Sequence, residues 1–148
     1  MRFLRKLAAG ARLLARDPSS LLLTLRAFAW ISALTIIGPL VRVSTMLTMT
    51  ETKRRWPQRK RKSPEELARC VDRVFHAGLF SDGKCWKRSA VLRRFLQMQD
   101  IETDVIYGVR KKDDGTLAGH AWLERDGAPI LEREPPDYAV TFRHPPRT

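Results

Sequence analysis

At 148 residues, with a mean hydropathy of -0.34 and 30% charged residues, the chain has apolar material for one domain with a core and an appendage, not for two domains. Its net charge of +12 is confined to one end: residues 1–62 hold 14 Lys/Arg against Asp17 and Glu51, whereas residues 63–148 hold 14 basic and 14 acidic side chains. Two cysteines without a CxxC, and histidines only at positions 76, 120 and 144, exclude a zinc framework and a disulfide-stapled secreted scaffold, so neither a metal nor another cofactor is expected.

In chain order, residues 2–16 have the pattern of an amphipathic helix, with Phe3, Leu4, Leu7 and Leu14 among basic residues. A break follows at Asp17-Pro18, and Ser19 or Ser20 is expected to cap a second, more apolar helix. Its longest uncharged run, residues 27–41, is 15 residues and contains Gly38-Pro39, short of the roughly 20 that a spanning helix needs. Arg12, Arg16 and Asp17 ahead of that run, with no A-x-A behind it, do not fit a signal peptide. The predicted organisation is a basic, apolar helical segment (1–50), a basic linker (51–62) in which Pro57 stops any helix, and the working domain (63–148). The first segment either packs on that domain or a partner, or makes a shallow peripheral membrane contact through Phe28, Trp30 and its arginines. No nucleic acid is expected, because one Trp among basic residues lacks the aromatic spacing of a stacking groove.

Ser63-Pro64-Glu65-Glu66 is a helix start, with Ser63 as N-cap, proline at the first helical position and Glu66 completing a capping box. Leu67, Cys70, Val71, Val74 and Phe75 then recur at helical spacing, which makes Cys70 a core residue. After a turn over residues 78–83, a second helix carries Val91, Leu92, Phe95 and Leu96 inward and Arg88, Arg93 and Arg94 outward. With Ser81 or Asp82 as its cap, Cys85 falls in the first turn, where free N–H groups and the positive helix end favour a thiolate.

The period then changes from helical to alternating. Residues 103–109, 116–124 and 128–132 read as strands, the first two joined by KKDDG and the last two by Arg125-Asp126-Gly127, so the fold class is α+β, helices packed on a small antiparallel sheet. His120 lies mid-strand, with Trp122 and Glu124 on its face. A two-residue turn at Asp126-Gly127 would pair His120 with Arg133 and turn Glu132 away, while a three-residue loop would set Glu132 opposite His120. The pattern alone leaves both registers open, and Glu134 shares the face of Glu132.

The order KCWKRSAVLRRFLQMQDIETDVIYGVRK, GHAWLE, APILE resembles the lasso-peptide leader peptidases, the peptidase half of the lasso maturation proteins, over about residues 63–138. That resemblance implies a transglutaminase-like, papain-like cysteine protease domain in which Cys85 is the nucleophile, His120 the general base and acid, and Glu132 the residue orienting the imidazole. The family pattern usually has Asp at the third place, where this chain has Glu132. It further implies cleavage of a leader from a lasso precursor in the bacterial cytoplasm, with the chain in some cases membrane-associated. The freed core N-terminus then goes to a separate ATP-dependent cyclase. Residues 1–62 show no strand-rich pattern of a leader-gripping domain, so a separate leader-recognition protein is implied as partner. The competing reading is a non-catalytic interaction module of the same fold carrying a basic membrane- or nucleic-acid-binding arm.

Overall fold

The structure, a computed structural model, describes residues 17–57, 61–78, 80 and 84–145. The amphipathic helix expected over residues 2–16 and the expected Ser81 or Asp82 cap lie outside them.

Helix α1 spans Pro18–Ile37, and its N-cap is Asp17, two residues before Ser19. The Asp17 carboxylate accepts from the backbone N–H of Ser19 and of Ser20, both at 3.1 Å, which places the two serines inside the first turn as donors to the cap. Pro18 favours this start, since its fixed φ suits the first helical position and its missing N–H costs nothing there. Hydrogen bonds from Ser19, then Ser20, then the Lys62 ammonium hold the Asp17 carboxyl well below the usual carboxylate range. Gly38–Leu40 continues α1 as a 3-10 turn. The run Pro18–Leu40 therefore has 23 residues, long and apolar enough by length and composition to cross a membrane. The uncharged run of residues 27–41 understated it because Arg26 interrupts the apolar stretch without interrupting the helix.

One ridge of α1, Leu23, Ala27, Ile31 and Leu34, is buried in the same core as the helices that follow. Helix α2 (Val43–Thr50) adds Met46 and Leu47. Helix α3 (Pro64–His76) starts with the expected capping box: Glu66 N–H donates to Ser63 Oγ at 3.2 Å, and Ser63 N–H to Glu66 Oε2 at 3.0 Å. It packs on α1 and buries Leu67, Val71 and Cys70, the last 1% exposed. Helix α4 (Lys84–Gln97) lies between α3 and the sheet, with Val91, Leu92, Phe95 and Leu96 in the core. Each such large apolar side chain contributes roughly 1.5–3 kcal/mol by leaving water.

The sheet is β1 (Asp104–Lys111), β2 (Leu117–Arg125), β3 (Ala128–Ile130) and β4 (Ala139–His144), in the order β3-β2-β1-β4, all antiparallel. The pattern predicts three strands; the fourth, β4, closes the outer edge of β1. Val105 and Leu123 point into the helical core, and the period of two puts Ile106, Gly108, His120 and Trp122 on the opposite face.

The arginines expected on the solvated side of α4 are instead ties between elements. Arg93 is 3% exposed; its Nε donates to the Thr103 carbonyl at 2.9 Å and its Nη1 pairs with Glu51 at 3.2 Å. Glu51 also takes His144 Nε2 at 2.9 Å, so one carboxylate after α2 joins α4 and β4. Arg94 stacks over the Trp30 ring at 4.3 Å and donates to the Thr50 and Glu51 carbonyls. A long side chain with a fork of donors reaches carbonyls and carboxylates that helical periodicity does not reveal. In the basic segment, Trp56 N–H donates to the Met98 carbonyl at 2.7 Å and Lys62 N–H to Gln99 Oε1 at 2.6 Å, so residues 56 and 62 are fastened to the end of α4.

Candidate active site

Cys85 is the second residue of α4, in its first turn, and is half-buried, whereas Cys70 is sealed in the core. One turn further along the same helix, Ser89 is fully buried and its Oγ donates to the carbonyl of Ala121 at 3.2 Å. Residues i and i+4 share a helix face, so this bond also turns Cys85 toward β2 at the residue following His120. The serine locks the helix that carries Cys85 to the strand that carries His120, a role that sequence reading did not assign to it.

The register between β2 and β3 is the two-residue one, Arg125 opposite Ala128, with Asp126 and Gly127 both at positive φ (53° and 82°) as a type I′ turn requires. Continued as a ladder, it would turn Glu132 away from His120. The ladder stops at Ile130, however, and Leu131 takes φ 59°, a left-handed conformation costly for a branched side chain. That single residue re-aims the chain, and Glu132 Oε2 meets His120 Nε2 at 3.2 Å. Neither open register anticipates this route, because both assume that the strand runs on to residue 132. The early stop also leaves the β3 side of β2 without a partner strand from His120 to Trp122, while β1 still pairs with its other side, and the cleft opens there.

The cleft, about 500 Å³, is lined by Cys85, His120 and Glu132, with Asp72, Arg88 and Glu134 among the others. All three expected site residues therefore share one cavity. A carboxylate only accepts hydrogen bonds, so Glu132 places the ring hydrogen on Nε2 and leaves the Nδ1 lone pair as the proton acceptor of the neutral imidazole. Aromatic rings restrict the imidazole further: Trp122 stacks on it at 6.0 Å and 18°, and Tyr138 lies at 5.3 Å. Gly108, opposite His120 in the ladder, makes room for this pair; a Cβ there would lie 2.6 Å from Tyr138 Cβ and 3.0 Å from the Trp122 ring.

Arg88, three residues after Cys85, braces the acid. Its Nε pairs with Asp72 Oδ1 on α3 at 2.7 Å, its Nη2 donates to the Leu131 carbonyl at 3.1 Å, and its Nη1 donates to Glu132 Oε1 at 3.2 Å. One guanidinium thus holds both the strained residue and the carboxylate that follows it. Glu134 is exposed and, among the described residues, has no hydrogen bond or ion pair. Tyr107, on β1, keeps its hydroxyl buried without a partner among the described residues; burial first, and the charge of nearby Cys85 second, push the phenol well above its ordinary range. Among the described residues no group of three or more His, Cys, Asp or Glu is placed to hold a metal ion.

A helix bundle on a small antiparallel sheet, with cysteine at a helix start and histidine on a strand, defines a class of cysteine-centred domains. Comparison with protein families matches residues 22–144, and the chain belongs to the transglutaminase-like superfamily. That superfamily includes cysteine peptidases and transglutaminases. Searches of curated proteins and of solved structures found no significant match.

Proposed function

We propose that the protein is a cysteine endopeptidase that removes the leader from a lasso-peptide precursor, working with a separate leader-recognition protein and handing the core to an ATP-dependent cyclase. The observation that carries the enzymatic part is the cleft shared by Cys85, His120 and Glu132, with His120 Nε2 held by Glu132 so that Nδ1 is the free base. The choice of precursor is supported by the motif order KCWKRS, IYGVRK, GHAWLE.

In this reading the Cys85 thiol gives its proton to His120 Nδ1 and the sulfur attacks the scissile carbonyl. The oxyanion takes the Cys85 backbone N–H, one of the donors that a first helical turn leaves without an intrahelical partner. The imidazolium then protonates the departing amine, which leaves as the new core N-terminus. Water, deprotonated by His120, hydrolyses the thioester and returns the thiol.

The test is incubation of the chain with its leader-binding partner and the precursor, reading the released core by mass spectrometry; no core release in the complete mixture overturns the reading. In that assay Arg88→Ala is expected to lower kcat by about 10²-fold through a displaced Glu132, with thermal stability changed far less. Arg88→Lys recovers only part, because one ammonium cannot reach Asp72, the Leu131 carbonyl and Glu132 together.

A further inference from the structure

Opposite its buried ridge, α1 presents a second apolar ridge to solvent: Leu22, Leu25, Ile36 and, in the following turn, Leu40, the last three 55%, 73% and 81% exposed. Helical geometry separates the two ridges by about half a turn along a helix roughly 30 Å long. With Leu23, Ala27, Ile31 and Leu34 fixed in the domain core, the docked helix cannot also surround itself with lipid, and a spanning arrangement is excluded for this conformation. An apolar strip of this length on a charged protein marks a docking surface.

Its surroundings are cationic. Arg26 flanks the strip and lines a cleft of about 510 Å³ with Arg54, Arg94, Trp30 and Trp56. Arg55 also lines this cleft and pairs with Asp100 and Glu102, whereas among the described residues the Arg26 and Arg54 guanidiniums have no ion pair and no carboxylate lines the cleft itself. Burial, and then the charge of Arg54, push the Arg94 guanidinium below its ordinary value. Arg42, also exposed, sits beyond Leu40 at the other end of the strip. An exposed apolar ridge with flanking arginines matches the layering of a bilayer interface, in which headgroups follow tails.

We propose that this face docks on an anionic membrane, with the Leu22–Leu25–Ile36–Leu40 ridge seated in the interfacial layer and the arginines of the adjacent cleft taking lipid phosphates. The occupant is a bilayer because Arg26, on the helix that carries the apolar ridge, also lines the cationic cleft, so that the two adjoin; a soluble acidic polypeptide would answer only the second. The inference does not rest on the peptidase reading.

The experiment is co-sedimentation of the full chain with vesicles of phosphatidylcholine alone or mixed with phosphatidylglycerol. Binding to the mixed vesicles, weakening with salt and absent on phosphatidylcholine, is expected. Leu25→Glu with Ile36→Glu should reduce partitioning by more than about tenfold, and Arg26→Glu with Arg54→Glu should do the same, while melting temperature holds because all four side chains are exposed. Cys85→Ala should sediment as wild type. The proposal fails if the wild-type chain stays in the supernatant with mixed vesicles. It also fails if the Leu25/Ile36 variant sediments undiminished, or if the chain retains polyglutamate but not vesicles.

Discussion

Cys85→Ala and His120→Ala are each expected to lower core-peptide release by about 10⁶-fold, while the circular dichroism spectrum is unchanged. The loss is large because the two groups act as one unit: without the imidazole the thiol has no acceptor for its proton, and without the sulfur there is no acyl-enzyme. The fold survives for separate reasons in the two variants. Cys85 is half-buried at a helix start, and its removal leaves no deep cavity. His120→Ala forfeits two ring contacts, each about 0.5–1.5 kcal/mol, but does not strand a buried carboxylate, since Glu132 keeps Arg88. Undiminished release by either variant would sink the peptidase reading.

Glu132→Gln is expected to lower kcat by about 10⁴-fold, and Glu134→Gln by no more than a few-fold, measured on the same precursor. Arg88 is the reason that so small a change at residue 132 costs so much. It carries only donors, so it claims the amide oxygen of a Gln at position 132 and leaves the NH2 facing His120 Nε2. The imidazole must then accept at Nε2, its hydrogen moves to Nδ1, and the base that should serve Cys85 is gone. Glu134 stands at the cleft rim with no partner among the described residues, so its amide disturbs little. Equal losses at both positions would instead mean that the two carboxylates act only through the charge of the cleft.

The two helices around the site were legible because their signals are local: a capping box at Ser63, a helical stripe through Cys70, and a second stripe behind Cys85. Cys70 and Cys85 were separable on that pattern alone, one on the buried stripe and one in a first turn. The meeting of His120 with Glu132 was not legible in its route, because it depends on a strand that ends early and on one residue at positive φ; leucine at 131 advertises neither. Strand β4 escaped notice since it pairs only along the rim, with Val140 and Phe142 left 54% and 38% exposed and no buried alternation to read. Ser89 and Arg88 looked like ordinary polar helix residues; their partners, the Ala121 carbonyl and Glu132, are 32 and 44 residues away. Tyr138 and Gly108 act as a pair across β1, which period-two reasoning on either residue alone does not expose.

The central claim is that His120 takes the proton of Cys85. Alkylation of the two cysteines with iodoacetamide near neutral pH, followed by peptide mass spectrometry in wild type and in His120→Ala, tests it without precursor or partner. Exposure alone makes Cys85 faster than Cys70 in both proteins, so the informative quantity is the change at Cys85. The account predicts that Cys85 labelling slows by about tenfold or more in His120→Ala while Cys70 labelling stays the same. An unchanged Cys85 rate would contradict it.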